Sequence, residues 1–136
     1  MSILSLALQA VREGPDSSAM PLLRALAVSE ERPCIVAVDF DGTLCENQWP
    51  GIGRENLPVI SAVSLLRELG ILVVLWTCRE GEDLENALEW CGQRDIRFDA
   101  VNENCGCILD LYQWNTRKVH ADEYWDDRAV SVSFNY

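Results

Sequence analysis

The apolar positions of the chain change their spacing several times, and each change marks an element. Ile3, Leu4, Leu8 and Val11, then Leu22, Leu23 and Leu26, recur near helical intervals on either side of a break over residues 14–18. Residues 1–32 therefore predict an N-terminal extension of two short helices, whose apolar residues could cover a core, join two copies or tether the chain. Over residues 34–38 the apolar run becomes continuous, as in a strand buried on both faces of a parallel sheet. Ile60, Val63, Leu66 and Leu69 return to helical spacing, with Pro58 suited to a first turn and Gly70 to a C-terminal cap, which predicts a helix over 58–69. Residues 71–76 are a second continuous apolar run, after which Glu82 and Asp83 open a helix through Leu84, Leu88 and Cys91. Shorter strands are expected around 98–101 and 123–125.

Strand and helix thus alternate with short connections. The fold class this predicts is α/β with a mainly parallel sheet, in which ligands sit outside the carboxyl ends of the strands. A length of 136 residues suits one core, and 49% hydrophobic with 24% charged residues is the balance of a soluble globular chain. The net charge of -11 and the lack of any Lys/Arg run argue against duplex nucleic acid as a partner. No apolar run approaches the roughly 20 residues that cross a bilayer, so no membrane partner is expected. Six cysteines with no signal-like N-terminus predict reduced thiols and a cytoplasmic location. Cys105 and Cys107 lack the spacing of a zinc pair, and the single histidine, His120, reads as structural.

The chemistry begins where the first buried run ends. In DFDGTL, residues 39–44, side-chain alternation puts Asp39 and Asp41 on one side of the chain and Phe40 on the other, and Gly42 permits a sharp turn. An ordinary turn would account for Asp41 and Gly42 but not for a carboxylate at Asp39, at the end of a run that should be buried. Thr77 follows the second apolar run directly. YWDDR, residues 124–128, places Asp126 and Asp127 after the last expected strand.

These segments, in this order, resemble the haloacid dehalogenase-like hydrolase superfamily, whose first motif, DxDGT, residues 39–43 match in full. The likeness covers roughly residues 33–128, so residues 33–136 are expected to form the catalytic domain, a Rossmann-like three-layer sandwich. WPGIG (49–53), TCREG (77–81), FDAVNEN (98–104) and ADEYWDD (121–127) look closest to small bacterial and phage members. The resemblance implies a magnesium-dependent phosphohydrolase acting on a small-molecule phosphate ester. Asp39 would attack phosphorus to form an aspartyl-phosphate, and Asp41 would protonate the leaving oxygen and then activate water. Thr77 would hold a phosphoryl oxygen.

The implied Mg2+ ligands are Asp39, the main-chain carbonyl of Asp41, and Asp126, with Asp127 a further ligand or a support. Lys118, or its neighbour Arg117, would neutralise nucleophile and phosphate, although only seven residues separate Lys118 from Asp126. Thr43 and Arg79 are expected to meet substrate, Arg79 because a guanidinium suits phosphate oxygens. Glu80 and residues 102–104 are further candidates. Only 35 residues lie between Asp41 and Thr77, which argues for a form without a large cap domain, its site walled by the loop 45–54 or by another subunit. Trp49 and Arg54 in that loop are candidate substrate contacts, with pinning of the loop to the core the alternative for Trp49. A homo-oligomer stays open. Two other functions compete: a binding or scaffold module that keeps the fold with weak catalysis, and processing of nucleic-acid phosphate ends.

Overall fold

A computed structural model describes residues 1–28 and 32–134. Among these residues, five helices and four strands follow one another as α1 (Ile3–Glu13), α2 (Ala19–Ala27), β1 (Ile35–Val38), α3 (Leu57–Glu68), β2 (Leu72–Leu75), α4 (Gly81–Gln93), β3 (Ala100–Val101), α5 (Gly106–Tyr112) and β4 (Glu123–Trp125). The strands form one all-parallel sheet in the order β3-β2-β1-β4. β1, central and buried along its whole length, is the continuous apolar run that the sequence predicts.

Alternation along the strands divides the core between two faces. Val36, Val38, Val73 and Leu75 pack with apolar residues of α1, α2, α3 and α4. Ile35, Ala37 and Val74 point the other way, onto Cys105, Ile108 and Val119. Helix, sheet and helix make the three layers of a Rossmann-like sandwich. The first of the three roles open to the N-terminal helices is the one seen: Ile3, Leu6, Ala7, Ala10, Met20 and Leu23 are buried in the same core as β1. Glu123 of β4 further ties α1 to the sheet by accepting the main-chain N–H groups of Ile3 and Leu4, which have no partner within the helix.

Two elements differ from expectation. The third strand is two residues long rather than four, because Asp99 interrupts it. The Asp99 carboxylate accepts the Val73 N–H at 2.8 Å, while its own N–H reaches the Val73 carbonyl at 2.8 Å. Helix α5, only seven residues long and opened by Gly106, is too short for its apolar residues to show a helical period, and it is held by Ile108, 2% exposed, against the sheet. Its stability comes from burial more than from local propensity.

At the amino end of the sheet, Asp122 repeats the device of Asp99. Its carboxylate accepts the Ile35 N–H at 2.9 Å and both terminal nitrogens of Arg32. Asp99 is likewise paired with Arg67. No helix among the described residues is long and apolar enough to cross a membrane.

Candidate active site

Register alone brings the first two carboxylates together. Val38 of β1 lies opposite Trp125 of β4, so the next residue on each strand is an aspartate, Asp39 and Asp126. The Asp39 N–H donates to the Trp125 carbonyl at 3.0 Å, which holds the strand ends side by side. Asp127 joins them. Oxygens of Asp39, Asp126 and Asp127 lie within 4.8 Å of one another, Asp39 half-buried and the other two exposed. Gly42 makes room for the third: it turns at φ +83°, and a Cβ there would collide with the Asp127 carboxylate.

Burial pushes the Asp39 carboxyl up to about 6, helped by the charges of Asp126, Asp41 and Asp127 and opposed by the hydrogen bond from the Phe40 N–H. Three hard oxygen donors on converging loops suit a hard divalent cation such as magnesium, and no imidazole or thiol intrudes among them.

A cavity of about 630 Å³ opens over these carboxyl ends. Asp39, Asp41, Trp49, Thr77, Asp126 and Asp127, all candidates from the sequence, line it together. Thr77 is positioned through its main chain, whose N–H donates to Asn102 Oδ1 at 2.8 Å, while its hydroxyl accepts the Arg79 N–H. Trp49, 60% exposed, stands on the wall of the cavity and does not pin the loop to the core. Asn47, Cys78, Glu80, Asp83 and Arg128 complete the lining. Of these, Glu80 carried a sequence signal in its place just beyond Thr77. Arg128 had one in its place directly after the acidic pair.

Arg79 requires a correction. It lines the cavity, but its side chain is only 1% exposed and every nitrogen of its guanidinium is engaged. Nε and Nη2 each donate to Asp41 at 2.8 Å, and the remaining bonds run to the carbonyls of Pro50, Gly51 and Asp83. The guanidinium also lies over the Phe40 ring at 5.0 Å. Arg79 is therefore a clamp joining Asp41, the loop at 50–51 and the start of α4, and not an open contact for a ligand.

Arg54, Thr43 and Lys118, like Arg117 and residues 102–104, fall outside the cavity lining. Arg54 is exposed and pairs with Glu46 at 2.7 Å. Thr43 is buried beneath the turn, where its hydroxyl has no hydrogen-bond partner. Lys118 lies on the α5 side, its ammonium 5.3 Å from the centre of the Tyr124 ring, in a separate hollow with Tyr112, Trp114 and His120. Of the seven residues between Lys118 and Asp126, the last three are strand β4, which leads away from Lys118 toward the cavity.

A solved structure described as that of a conserved protein from Bacteroides thetaiotaomicron is 37% identical to this chain, with a TM-score of 0.64 over 73% of this chain and 79% of that one. This chain belongs to the same family. The family thus shares the α/β fold with its parallel sheet across most of both chains. No family model and no curated protein matches the chain.

Proposed function

We propose that the protein is a magnesium-dependent phosphohydrolase of the haloacid dehalogenase-like type, cleaving small phosphomonoesters through an aspartyl-phosphate on Asp39. The observation that carries this reading is the meeting of Asp39, Asp126 and Asp127 at the carboxyl ends of adjacent parallel strands, inside a cavity that Asp41 and Thr77 also line.

Asp39 attacks phosphorus with one carboxylate oxygen as the bond from phosphorus to the ester oxygen breaks. Asp41 gives its proton to the departing alcohol. It then takes a proton from water as that water attacks the aspartyl-phosphate, releasing phosphate and restoring both acids. Each Asp41 oxygen accepts one N–H from Arg79 and keeps a second lone-pair direction for this proton traffic. Thr77 presents its hydroxyl to a phosphoryl oxygen. The side chains of Asp39, Asp126 and Asp127, with the main-chain carbonyl of Asp41, would hold magnesium, which would supply positive charge to offset the repulsion between carboxylate and phosphate. The six cysteines, all free thiols, support a cytoplasmic location as part of the same reading.

The test is phosphate release from a panel of small phosphate esters, with magnesium and with chelator, for wild type and Asp39→Asn. Turnover is expected only with the metal and is expected to fall by about 10³-fold or more in the variant. Full metal-dependent turnover by Asp39→Asn would overturn the mechanism. Magnesium binding without turnover of any ester would favour a binding module on this fold.

A further inference from the structure

The cavity is lined by six acids, Asp39, Asp41, Glu80, Asp83, Asp126 and Asp127, and by only two basic side chains, Arg79 and Arg128. Arg79 has no nitrogen left to offer, since Asp41 and three main-chain carbonyls take them all. Lys118, the cation that the family resemblance implies for phosphate, is in a different hollow against Tyr124, and its alternative Arg117 does not line the cavity either. A phosphate dianion entering such a cavity meets strong repulsion that a single divalent cation beside three carboxylates only partly offsets.

We infer that Arg128 is the residue that receives the substrate phosphate, in the role that sequence order had given to Lys118. The inference rests on the phosphohydrolase reading and adds a binding residue to it. Three observations place Arg128 for the task. It lines the cavity and is exposed there. Its side chain makes no ion pair or hydrogen bond among the described residues, so its fork of N–H donors is available. Its main-chain N–H donates to Asp126 Oδ1 at 2.8 Å, so the turn that brings Asp126 beside Asp39 also sets where Arg128 departs from the chain. Two arginines thereby divide two tasks: Arg79 holds an acid of the site, and Arg128 meets the anion. A guanidinium suits the second task because its paired N–H groups match two phosphoryl oxygens.

Calorimetric titration with inorganic phosphate on the magnesium-loaded full chain tests this, with KM and kcat for the best ester of the panel measured alongside. Arg128→Gln is expected to weaken phosphate binding and raise KM by about tenfold or more, the effect of losing a charge-assisted contact. Arg128→Lys should recover part of the loss, and Lys118→Gln should stay within about twofold of wild type. Phosphate affinity unchanged in Arg128→Gln would overturn the assignment while leaving the phosphohydrolase reading intact, provided that Asp39→Asn still abolishes turnover. Loss of magnesium affinity together with phosphate affinity in Arg128→Gln would also overturn it, because the residue would then act on the turn that holds the metal. Wild type that neither binds phosphate nor cleaves any ester would remove both readings.

Discussion

At the amino end of the sheet, Asp99 and Asp122 each give their carboxylate to a neighbouring strand's N–H and to an arginine, Arg67 and Arg32. At the carboxyl end, Asp39, Asp126 and Asp127 face one another across a cavity, with no arginine or lysine paired to any of them among the described residues. The same residue type is fully partnered at one end and under-partnered at the other. Partnered aspartates lengthen and lock the ladder, replacing strand hydrogen bonds where β1 and β2 begin. Gathered aspartates without a cation do the opposite: they hold charge in place at a cost in stability, which a bound divalent cation would relieve. Asp41, clamped by a buried arginine yet lining the cavity, belongs to both patterns.

The sharpest way to break the comparison is at that shared residue. Arg79→Met leaves the Asp41 carboxylate without its partner and frees three carbonyls, and it is expected to cost about 3–5 kcal/mol in urea denaturation. A loss below about 1 kcal/mol would mean that the clamp is solvated and that Asp41 belongs wholly with the open acids. Asp122→Ala tests the amino end. Losing the acceptor for Ile35 N–H and the ion pair with Arg32 should lower stability by about 1–3 kcal/mol, with phosphate-ester turnover unchanged per folded molecule.

The smallest effect, and the most discriminating, is the sign of the pH dependence. Burial raises the Asp122 carboxyl, but the hydrogen bonds from Arg32 and Ile35 and the Arg32 charge outweigh it and leave the group lowered. Its stabilisation is thus present above the ordinary carboxylate value and is lost as pH falls through its lowered one. Asp39, pushed up to about 6, behaves in reverse: its contribution is complete below its ordinary value of 3.8 and is lost as pH rises through about 6. In metal-free buffer, melting curves from pH 4 to 7 should therefore show a loss of about 1–2 kcal/mol from Asp39, reduced by its partial exposure to solvent. The loss should vanish in Asp39→Asn and persist in Asp122→Asn. An unchanged slope in Asp39→Asn would place the titrating acid elsewhere in the cluster.

Strand-borne parts of the site were legible in advance. The apolar run over 34–38 announced β1, the spacing of 58–69 announced α3, and the acids that follow β1 and β4 do meet. Their positions depend on period-two alternation and on where a buried run stops, which are local properties. The loops were not legible in the same way. Nothing in TCRE distinguishes an arginine that turns inward onto Asp41 from one that turns outward to a ligand. Nothing in RKVHADEYWDD shows that β4 carries the chain away from Lys118. Nothing around Asp99 and Asp122 in the sequence shows that each is paired with a distant arginine, Arg67 or Arg32.

By itself, then, the sequence determined the α/β class, the parallel order of its main elements and the strand ends at which acids gather, because hydrophobic periodicity and chain direction are encoded residue by residue. Only the tertiary structure decided which of those acids and bases satisfy one another. Pairing depends on strand register, on the close approach that Gly42 permits to Asp127, and on burial that removes Arg79 from solvent, and each of these is a relation between segments far apart in the chain.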